Sequence, residues 1–135
     1  MLARKVTTPE APEPPGASWS NCLVIGREVV FSGVTARGAD GRPIGDDDMQ
    51  AQTTACLERI FAQVRAAGGS PDSIYKLVIY VTDISRKDAV NAARRAAFSG
   101  VYPASTLLEV SGFAFPGLLV EIDAFANLDV NLNRP

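Results

Sequence analysis

The sequence of 135 residues contains no histidine and only two cysteines, Cys22 and Cys56. Without histidine, Ser-His and Cys-His nucleophilic pairs and His-ligated metal sites are excluded, and acid-base chemistry is left to carboxylates, water and backbone groups. Two cysteines that lie far apart in the sequence cannot build a structural zinc site, and we expect neither a metal nor an organic cofactor. They do not form a disulfide framework either, so we expect reduced thiols, as in cytoplasmic proteins.

The sequence also lacks a basic surplus and a long apolar run. Its 13 basic and 15 acidic residues give a net charge of −2, whereas proteins that bind nucleic acid usually carry an excess of positive charge. Residues 1–15 contain no apolar core of a signal peptide, and no segment approaches the roughly 18 apolar residues of a membrane span. We therefore expect a soluble, cytoplasmic protein that has neither nucleic acid nor membrane as a partner.

Residues 1–135 fit a single domain, since 47% hydrophobic residues are enough for a core in a chain of this length. Residues 1–17 are expected to form an extended lead-in, because residues 7–17 include four prolines, although residues 2–6 can still be an edge strand. The elements predicted after it are a hairpin of strands 22–25 and 29–32, a polar loop 34–45, a helix from 46 to a stop at 68–69, a strand 74–81, a helix 86–98, and two strands, 105–110 and 118–125. This order predicts an α+β fold with a single, mainly antiparallel or mixed sheet and two helices packed on one face.

Two helices on one face leave the second face of this sheet uncovered. The strands carry more apolar residues than two helices can cover, namely Val24, Val30, Val78, Tyr80, Leu107 and Phe125. Monomeric soluble proteins rarely leave a large continuous apolar surface exposed to water. We therefore expect the open face of the sheet to be buried in an interface between subunits.

The last predicted strand places two acids in an apolar run. Strict alternation along this strand puts Glu121 and Asp123 on the same face as Leu119 and Phe125. A carboxylate there needs water, a cation or hydrogen-bond donors, because burying it without a partner is costly. Glu121 is therefore the first candidate site residue, and the alternative is an acid on a solvated sheet face. A second acidic group, residues 46–48, is interpreted as a helix cap rather than a metal site, since adjacent acids at a helix start diverge.

Five groups of motifs occur in the order of a known family, and together they span residues 19–126. They are Val30-Phe31-Ser32-Gly33, the helix start Gln52-Thr53, Lys76-Leu77-Val78-Ile79-Tyr80-Val81-Thr82-Asp83, Val90-Asn91, and Pro103-Ala104-Ser105-Thr106-Leu107-Leu108-Glu109-Val110 followed by Val120-Glu121-Ile122-Asp123-Ala124. These motifs resemble those of the Rid family, also called YjgF or L-PSP, whose best-known members hydrolyse reactive enamines and imines. The resemblance implies a chorismate-mutase-like fold that assembles into a homotrimer with a barrel core and binds a small-molecule substrate between its subunits.

One position departs from the family signature. The active deaminases hold the substrate carboxylate with the arginine of a Pro-Ala-Arg segment, and the residue at that position here is Ser105. Ser105 and Thr106 can still donate hydrogen bonds to a ligand, but a neutral hydrogen bond is about half as strong as a charge-assisted one. Arg37 is the candidate replacement, because some branches of the family carry an arginine near this place; the alternative is a solvated loop arginine. The family resemblance therefore predicts the fold of this chain more strongly than it predicts the deaminase reaction.

The resemblance also implies roles for the other candidate residues. Trp19 stands where the family has a pocket tyrosine and would pack on the ligand, or else anchor the core or an interface. Glu121 and Ser32 would be the catalytic residues: Glu121 would transfer a proton, and Ser32 would position substrate or water unless it is a plain strand serine. Gly33 would let the ligand approach the backbone, and Asn91 would tether neighbouring backbone as a structural residue.

Three functions remain open on the sequence. The first is a Rid-type enzyme that adds water to, or tautomerises, an enamine, an imine or a related unsaturated carbonyl compound, with weak or absent activity on ordinary 2-imino acids. The second is a non-catalytic trimer with a ligand-binding or regulatory role. The absence of the signature arginine and of histidine is consistent with this function. The third is an endoribonuclease or translation inhibitor, against which the net charge of −2 and the absence of histidine both count.

Overall fold

The computed structural model describes residues 1–133, which form seven strands and two α-helices. The strands are β1 (Arg4–Val6), β2 (Cys22–Ile25), β3 (Glu28–Phe31), β4 (Val34–Thr35), β5 (Ile74–Val81), β6 (Ala104–Glu109) and β7 (Val120–Asn127). The helices are α1 (Met49–Ala66) and α2 (Lys87–Ala97), and short 3₁₀ helices at Pro71–Ser73 and Ile84–Arg86 precede β5 and α2. Within the described residues, neither helix combines the length and the apolar character that a membrane crossing requires.

All seven strands join one sheet in the order β1-β2-β3-β7-β5-β6, and β4 pairs with β7 farther along from β3. The pairs are antiparallel except β5 and β6, which run parallel because α2 carries the chain back to the same end of the sheet. Helix α1 packs against β7 and against α2. The predicted α+β fold, with two helices packed on a mixed sheet, is confirmed.

The alternation expected for the last strand is confirmed by burial. The buried residues of β7 are Val120, Ile122, Ala124 and Ala126. They share one core with the apolar stripe of α1, which contains Leu57, Ile60 and Val64. Each fully buried aliphatic side chain of this size stabilises the fold by about 1.5–3 kcal/mol relative to an exposed one. The core therefore lies between α1 and the central strands, and the acids of β7 lie on the opposite face of the sheet.

The open face of the sheet carries fewer apolar residues than the sequence predicted. Val24 is buried in the core, and Leu107 packs against it beside buried Ile79, so the prediction that these two residues lie uncovered is wrong. Their positions on the strands place them on the helix-covered face. The residues of this group that do lie on the open face are Val30, Val78, Tyr80 and Phe125. Of these, Val30 is 43% exposed and Phe125 is 39% exposed, so an apolar patch does remain.

Helix α1 begins at Met49 rather than at residue 46, because Asp48 is its N-cap. The carboxylate of Asp48 accepts a hydrogen bond from the backbone N–H of Ala51 at 3.0 Å, which confirms the predicted capping role. Asp47 instead pairs with Arg86 at 3.1 Å. Within residues 1–133, no group of three or more Cys, Asp or Glu side chains is placed to hold a metal ion.

Strands β3, β6 and β7 differ from their predicted bounds, and β4 was not predicted. The predicted loop 34–45 contains β4, whose two residues are too few to show a period-two pattern. Strand β7 begins at Val120 rather than at residue 118, and it continues to Asn127. The two residues before it belong to the loop that α1 holds in place.

Gln52 joins α1 to the loop that precedes β7. Its side chain is 0% exposed, and its Nε2 donates hydrogen bonds to the carbonyl oxygens of Asp46 at 2.7 Å and Gly117 at 3.0 Å. Its Oε1 accepts a hydrogen bond from the backbone N–H of Leu119 at 2.9 Å. Because both ends of the buried amide are paired, this residue fixes where the last strand enters the sheet.

Replacing Gln52 by leucine should lower the free energy of unfolding by about 2–4 kcal/mol, since three backbone groups would lose a buried partner. Urea unfolding measures this loss from the shift in the midpoint. Gln50→Leu, at an exposed position of the same helix, is the matched control and should change the free energy by less than about 0.5 kcal/mol. Equal midpoints for the two variants would mean that these three hydrogen bonds do not hold the loop.

Candidate functional site

A break in strand pairing shapes the site. Strand β3 pairs with β7 as far as Val30, which lies opposite Phe125, and β4 resumes the pairing with Val34 opposite Ile122. The three residues between them therefore face only two residues of β7, so the chain bulges by one residue. Bulges bend a strand and re-aim its side chains, and they are common next to functional sites. This bulge contains the Ser-Gly pair that the sequence indicated.

Gly33, at the end of the bulge, lies against the carboxyl groups of β7. A Cβ atom at this position would be 3.0 Å from Cδ of Glu121 and 3.3 Å from Oδ1 of Asp123, closer than ordinary van der Waals contact. Any larger residue would displace these acids, which gives a physical reason for glycine here. The structure thus brings Gly33 and Glu121, two of the predicted site residues, into direct proximity.

Glu121 lies in an environment that favours its protonated form. Its side chain is partly buried, and this burial raises its pKa above the ordinary value of 4.5, with a further increase caused by the nearby Asp123. Oδ2 of Asp123 accepts a hydrogen bond from Tyr80 Oη at 3.0 Å, whereas Glu121 forms no hydrogen bond with another described side chain. A partly desolvated carboxyl group without a donor can give or take a proton closer to neutral pH than an exposed one.

A cavity of about 830 Å³ opens beside the bulge. The predicted site residues that line it are Trp19, Ser32, Gly33 and Arg37. The proline-rich residues 9–15 form part of its wall, and α1 contributes Arg59 and Gln63, two residues that sequence reasoning missed. Glu121 is not itself in the lining, but it contacts the cavity wall at Gly33.

Trp19 and Ser32 are both held by hydrogen bonds at the cavity wall. Trp19 is 50% exposed, so it does not anchor the core of this chain, and its Nε1 donates to Oδ1 of Asn21 at 3.0 Å. Ser32 Oγ donates to the carbonyl oxygen of Ser20 at 2.7 Å. Because this bond uses the hydroxyl hydrogen, Ser32 can meet a ligand only as a hydrogen-bond acceptor.

Arg37 lies in the cavity wall, where the predicted overhanging loop is found. Its guanidinium carbon is 3.5 Å from the centre of the Phe115 ring, a cation–π contact that orients the side chain. Arg59 holds the loop from beneath by donating to the carbonyl oxygens of Thr35 at 3.0 Å and Arg37 at 2.6 Å. The loop arginine is therefore positioned by packing rather than fully solvated.

Asn91 and Ser105 do not line the cavity beside the bulge. Ser105 pairs with Leu77, a buried core residue, so Ser105 lies on the helix-covered face of β6 and not on the face of Glu121. Together with Asn91 it lines a second cleft, of about 260 Å³, between α2 and β6. Within one chain, the single pocket expected from the resemblance is therefore divided into two separate parts.

This second cleft contains cations that sequence reasoning missed. Arg94 Nη1 donates a hydrogen bond to Ser105 Oγ at 2.6 Å, and Arg95 lines the same cleft. Neither arginine pairs with an acid among the described residues, and no acid lines the cleft. A signal was present in the sequence, because Arg94 follows Asn91 by three residues and so shares its side of α2. A guanidinium from α2 thus lies within hydrogen-bonding distance of the hydroxyl group of Ser105.

Thr106 points away from Ser105, because successive residues of a strand face opposite sides of the sheet. Thr106 pairs with Val78, which in turn pairs with Asp123, so it lies on the open face. Within one chain, Ser105 and Thr106 therefore lie on opposite faces of the sheet, and that both hydrogen-bond the ligand stays a prediction.

The two thiols are not part of either site. Cys22 and Cys56 are buried and unpaired with each other, as expected. Burial raises the pKa of Cys22 to about 11 and that of Cys56 to about 12, so neither supplies a thiolate at neutral pH.

Known proteins resemble the chain over nearly its whole length. The sequence profile of the family described as "Endoribonuclease L-PSP" matches residues 8–128. A RutC family protein of Pyrococcus abyssi is 26% identical over 126 residues, which is 93% of this chain and 98% of the relative. A solved protein of unknown function from Pseudomonas aeruginosa is 44% identical, with a TM-score of 0.89 and coverage of 99% of this chain and 98% of the other. YyfA of Yersinia pestis, described as a member of the Rid protein family, is 30% identical, with a TM-score of 0.84 and coverage of 93% and 99%.

Replacing Glu121 by glutamine should change how stability depends on pH. Since the fold raises the pKa of Glu121 above 4.5, its contribution to stability is fully present below that value and is lost as pH rises through the folded pKa. Glutamine does not ionise, so the melting temperature of Glu121→Gln relative to the wild type should increase across this interval and then level off. Thermal unfolding at a series of pH values measures the difference.

The control for this measurement is Glu58→Gln, which removes one negative charge at an exposed position of α1. A relative melting temperature of Glu121→Gln that falls as pH rises would show that the environment of Glu121 favours its ionised form instead.

Proposed function

The chain belongs to the L-PSP family, also called Rid or YjgF, and we propose that it is an enzyme acting on an enamine, an imine or a related unsaturated carbonyl compound. The best-known members of the Rid family, whose motifs this chain resembles, hydrolyse enamines and imines. The observation that carries the proposal is Glu121, a carboxyl group of raised pKa that contacts Gly33 in the wall of a cavity large enough for a metabolite.

The chemistry requires one group that can both accept and return a proton. In imine hydrolysis, water adds to the imine carbon, the nitrogen leaves as ammonia, and C=O replaces C=N. Glu121 as a carboxylate takes a proton from the attacking water, and as an acid it returns that proton to the departing nitrogen. For an enamine, the acid form first protonates the β-carbon to give the imine. A raised pKa suits this double role, because the group then holds its proton to a higher pH than an ordinary carboxyl group does.

The cavity residues provide binding groups for a planar, unsaturated compound. The exposed indole of Trp19 offers a flat apolar surface on which such a compound can stack. Ser32 presents an oxygen that accepts an N–H group, and Arg37, stacked on Phe115, presents guanidinium N–H groups to a carbonyl or an acid.

The charge around the cavity does not favour RNA as the substrate. Three acids, Glu10, Glu13 and Asp40, lie in its wall beside Arg37 and Arg59. The whole chain has a net charge of −2, whereas an RNA-binding groove presents a basic surplus to the phosphates. A small molecule therefore fits the cavity better than a polynucleotide.

The complete pocket, in this proposal, lies between the subunits of a homotrimer. Each chain carries the cavity with Glu121 at one place and the cleft with Arg94 and Ser105 at another, so a neighbouring subunit is needed to bring them together. The open face supports association, because Val30 and Phe125 are more than a third exposed there. No described strand pairs with the outer edge of β6, which leaves its backbone groups free for a partner.

Light scattering should give three times the chain mass of 14.3 kDa at micromolar protein concentration. Phe125→Glu should shift the protein toward monomer, because the open face would then have to bury a charge. Leu2→Glu, at a residue that is 96% exposed near the N-terminus, should leave the mass unchanged. A stable monomer of the wild-type chain would remove both the interface and the pocket that it completes.

Imines generated in a coupled assay from serine or leucine should be hydrolysed only weakly, because the guanidinium of Arg94 comes from α2 and meets a carboxylate from a different direction than one at position 105. Arg94→Gln should abolish the turnover that remains, since a neutral amide holds an anion more weakly. Lys87→Gln, which also removes a positive charge from an exposed position of α2 but does not line the cleft, is the matched control and should retain turnover. Wild-type rates comparable to those of authentic deaminases would contradict the role given to Ser105.

Glu121→Gln separates the enzyme from a binding module in the same assay. On any imine that the wild type processes, this change should lower turnover about 100-fold, the usual effect of losing a general acid-base group. Trp19→Ala should mainly weaken binding, through lost apolar contact. If Glu121→Gln alters only ligand affinity, then the chain binds its ligand without converting it.

A further inference from the structure

Gln63 is a buried polar residue to which the fold gives no hydrogen-bond partner. It lies on α1, is 3% exposed, and lines the same cavity as Trp19 and Gly33. Its Oε1 is buried without a hydrogen bond to any described residue, and its Nε2 has none either. Buried polar atoms of this kind are few in folded proteins. Because Gln63 also lines the cavity, a turn of its side chain about its own bonds would bring the amide to a partner that enters there.

Two other polar residues of α1 do have hydrogen-bond partners within the fold. Gln52 is equally buried and uses both ends of its amide, in hydrogen bonds to Asp46, Gly117 and Leu119. Arg59, one turn before Gln63, donates to backbone carbonyl groups of the loop that carries Arg37. Its donors stabilise that loop and do not reach Gln63.

The proline-rich wall of the cavity does not supply the donor that Gln63 Oε1 requires. The prolines in this wall are Pro9, Pro12, Pro14 and Pro15, and proline has no backbone N–H. The carboxylates of Glu10 and Glu13, in the same wall, only accept hydrogen bonds when ionised, and no backbone N–H of residues 9–15 donates to Gln63. A bound molecule with an N–H group is therefore the natural partner of this amide.

We propose that Gln63 is a specificity-determining residue that recognises a primary carboxamide group of the ligand. Two amides placed head to tail each donate one N–H and accept one, which pairs both ends of Gln63. A carboxylate lacks the donor for Oε1 and would meet the negative charges of Glu10 and Glu13. The proposal rests on the proposed function only in taking this cavity as the ligand site, and it adds a ligand class that family membership does not provide.

Crotonamide and crotonate are suitable probes, because both are small, planar and unsaturated and they differ in the end group. In saturation-transfer NMR titrations of the full chain, the wild type should bind crotonamide at least about tenfold more tightly than crotonate. Gln63→Met keeps the length of the side chain but removes its polar atoms, and it should abolish this preference. Gln50→Met, exposed on the same helix, is the matched control and should bind both probes as the wild type does.

Unfolding midpoints provide a second measurement that does not require a ligand. Gln63→Met should leave the midpoint in urea unchanged or raise it, because it removes an unpaired buried amide. Gln52→Leu should lower it. A fall for Gln63→Met as large as that for Gln52→Leu would show that the amide is already paired in solution, for instance by a fixed water molecule, and would overturn the proposal.

Three binding results would also overturn it: no detectable binding of crotonamide to the wild type, equal binding of the two probes, or unchanged crotonamide binding in Gln63→Met. Failure of the proposed reaction is distinguishable from these. If Glu121→Gln has no effect on turnover while Gln63→Met still loses crotonamide, the acid-base assignment is wrong and the recognition of the carboxamide stands.

Discussion

The one-residue mismatch between the β3–β4 segment and β7 is the constraint on which the site depends. Both segments must pair with β7 to keep its buried face beneath α1, but they do so in registers that differ by one residue. The extra residue cannot join the ladder, so the chain leaves the sheet beside the acids of β7 and returns. Gly33 then takes the place where a side chain would collide with Glu121. The bulge thus exposes a cavity wall and brings a carboxyl group next to it in a single step.

Helix α1 supports the cavity with its polar residues as well as with the apolar stripe that packs in the core. Gln52 at its first turn fixes the loop before β7, and Arg59 two turns later holds the carbonyl groups of the loop that carries Arg37. A further turn on, Gln63 faces the cavity without a partner. Along this helix, the side chains of Gln52 and Arg59 are hydrogen-bonded within the fold, whereas that of Gln63 is not. This difference separates the residues of α1 that support the fold from a residue that a ligand would contact.

Regular periodicity was the part of the sequence that predicted structure well. Strand β5 and the hairpin strand β2 have the predicted bounds, and the alternation along β7 separates Glu121 from the core as expected. Strand β4 was missed because two residues cannot show a period. The two faces of β6 were available from the same period of two, yet the family resemblance led Ser105 and Thr106 to be assigned to one pocket. Long-range contacts such as Arg94 with Ser105 depend on how α2 crosses the sheet, which no local pattern specifies.

The cation of one site and the carboxyl group of the other lie apart within one chain. Arg94 reaches the cleft beside Ser105 from α2, so a cation is present there although position 105 on β6 carries none. No acid among residues 1–133 lines that cleft, so no described carboxylate there pairs with Arg94. Burial of Glu121 and, to a lesser degree, the nearby Asp123 raise its pKa, and none of the cations in residues 1–133 pairs with it. Keeping the cation and the acid apart in the monomer preserves the raised pKa of Glu121, because an arginine in direct contact would lower it.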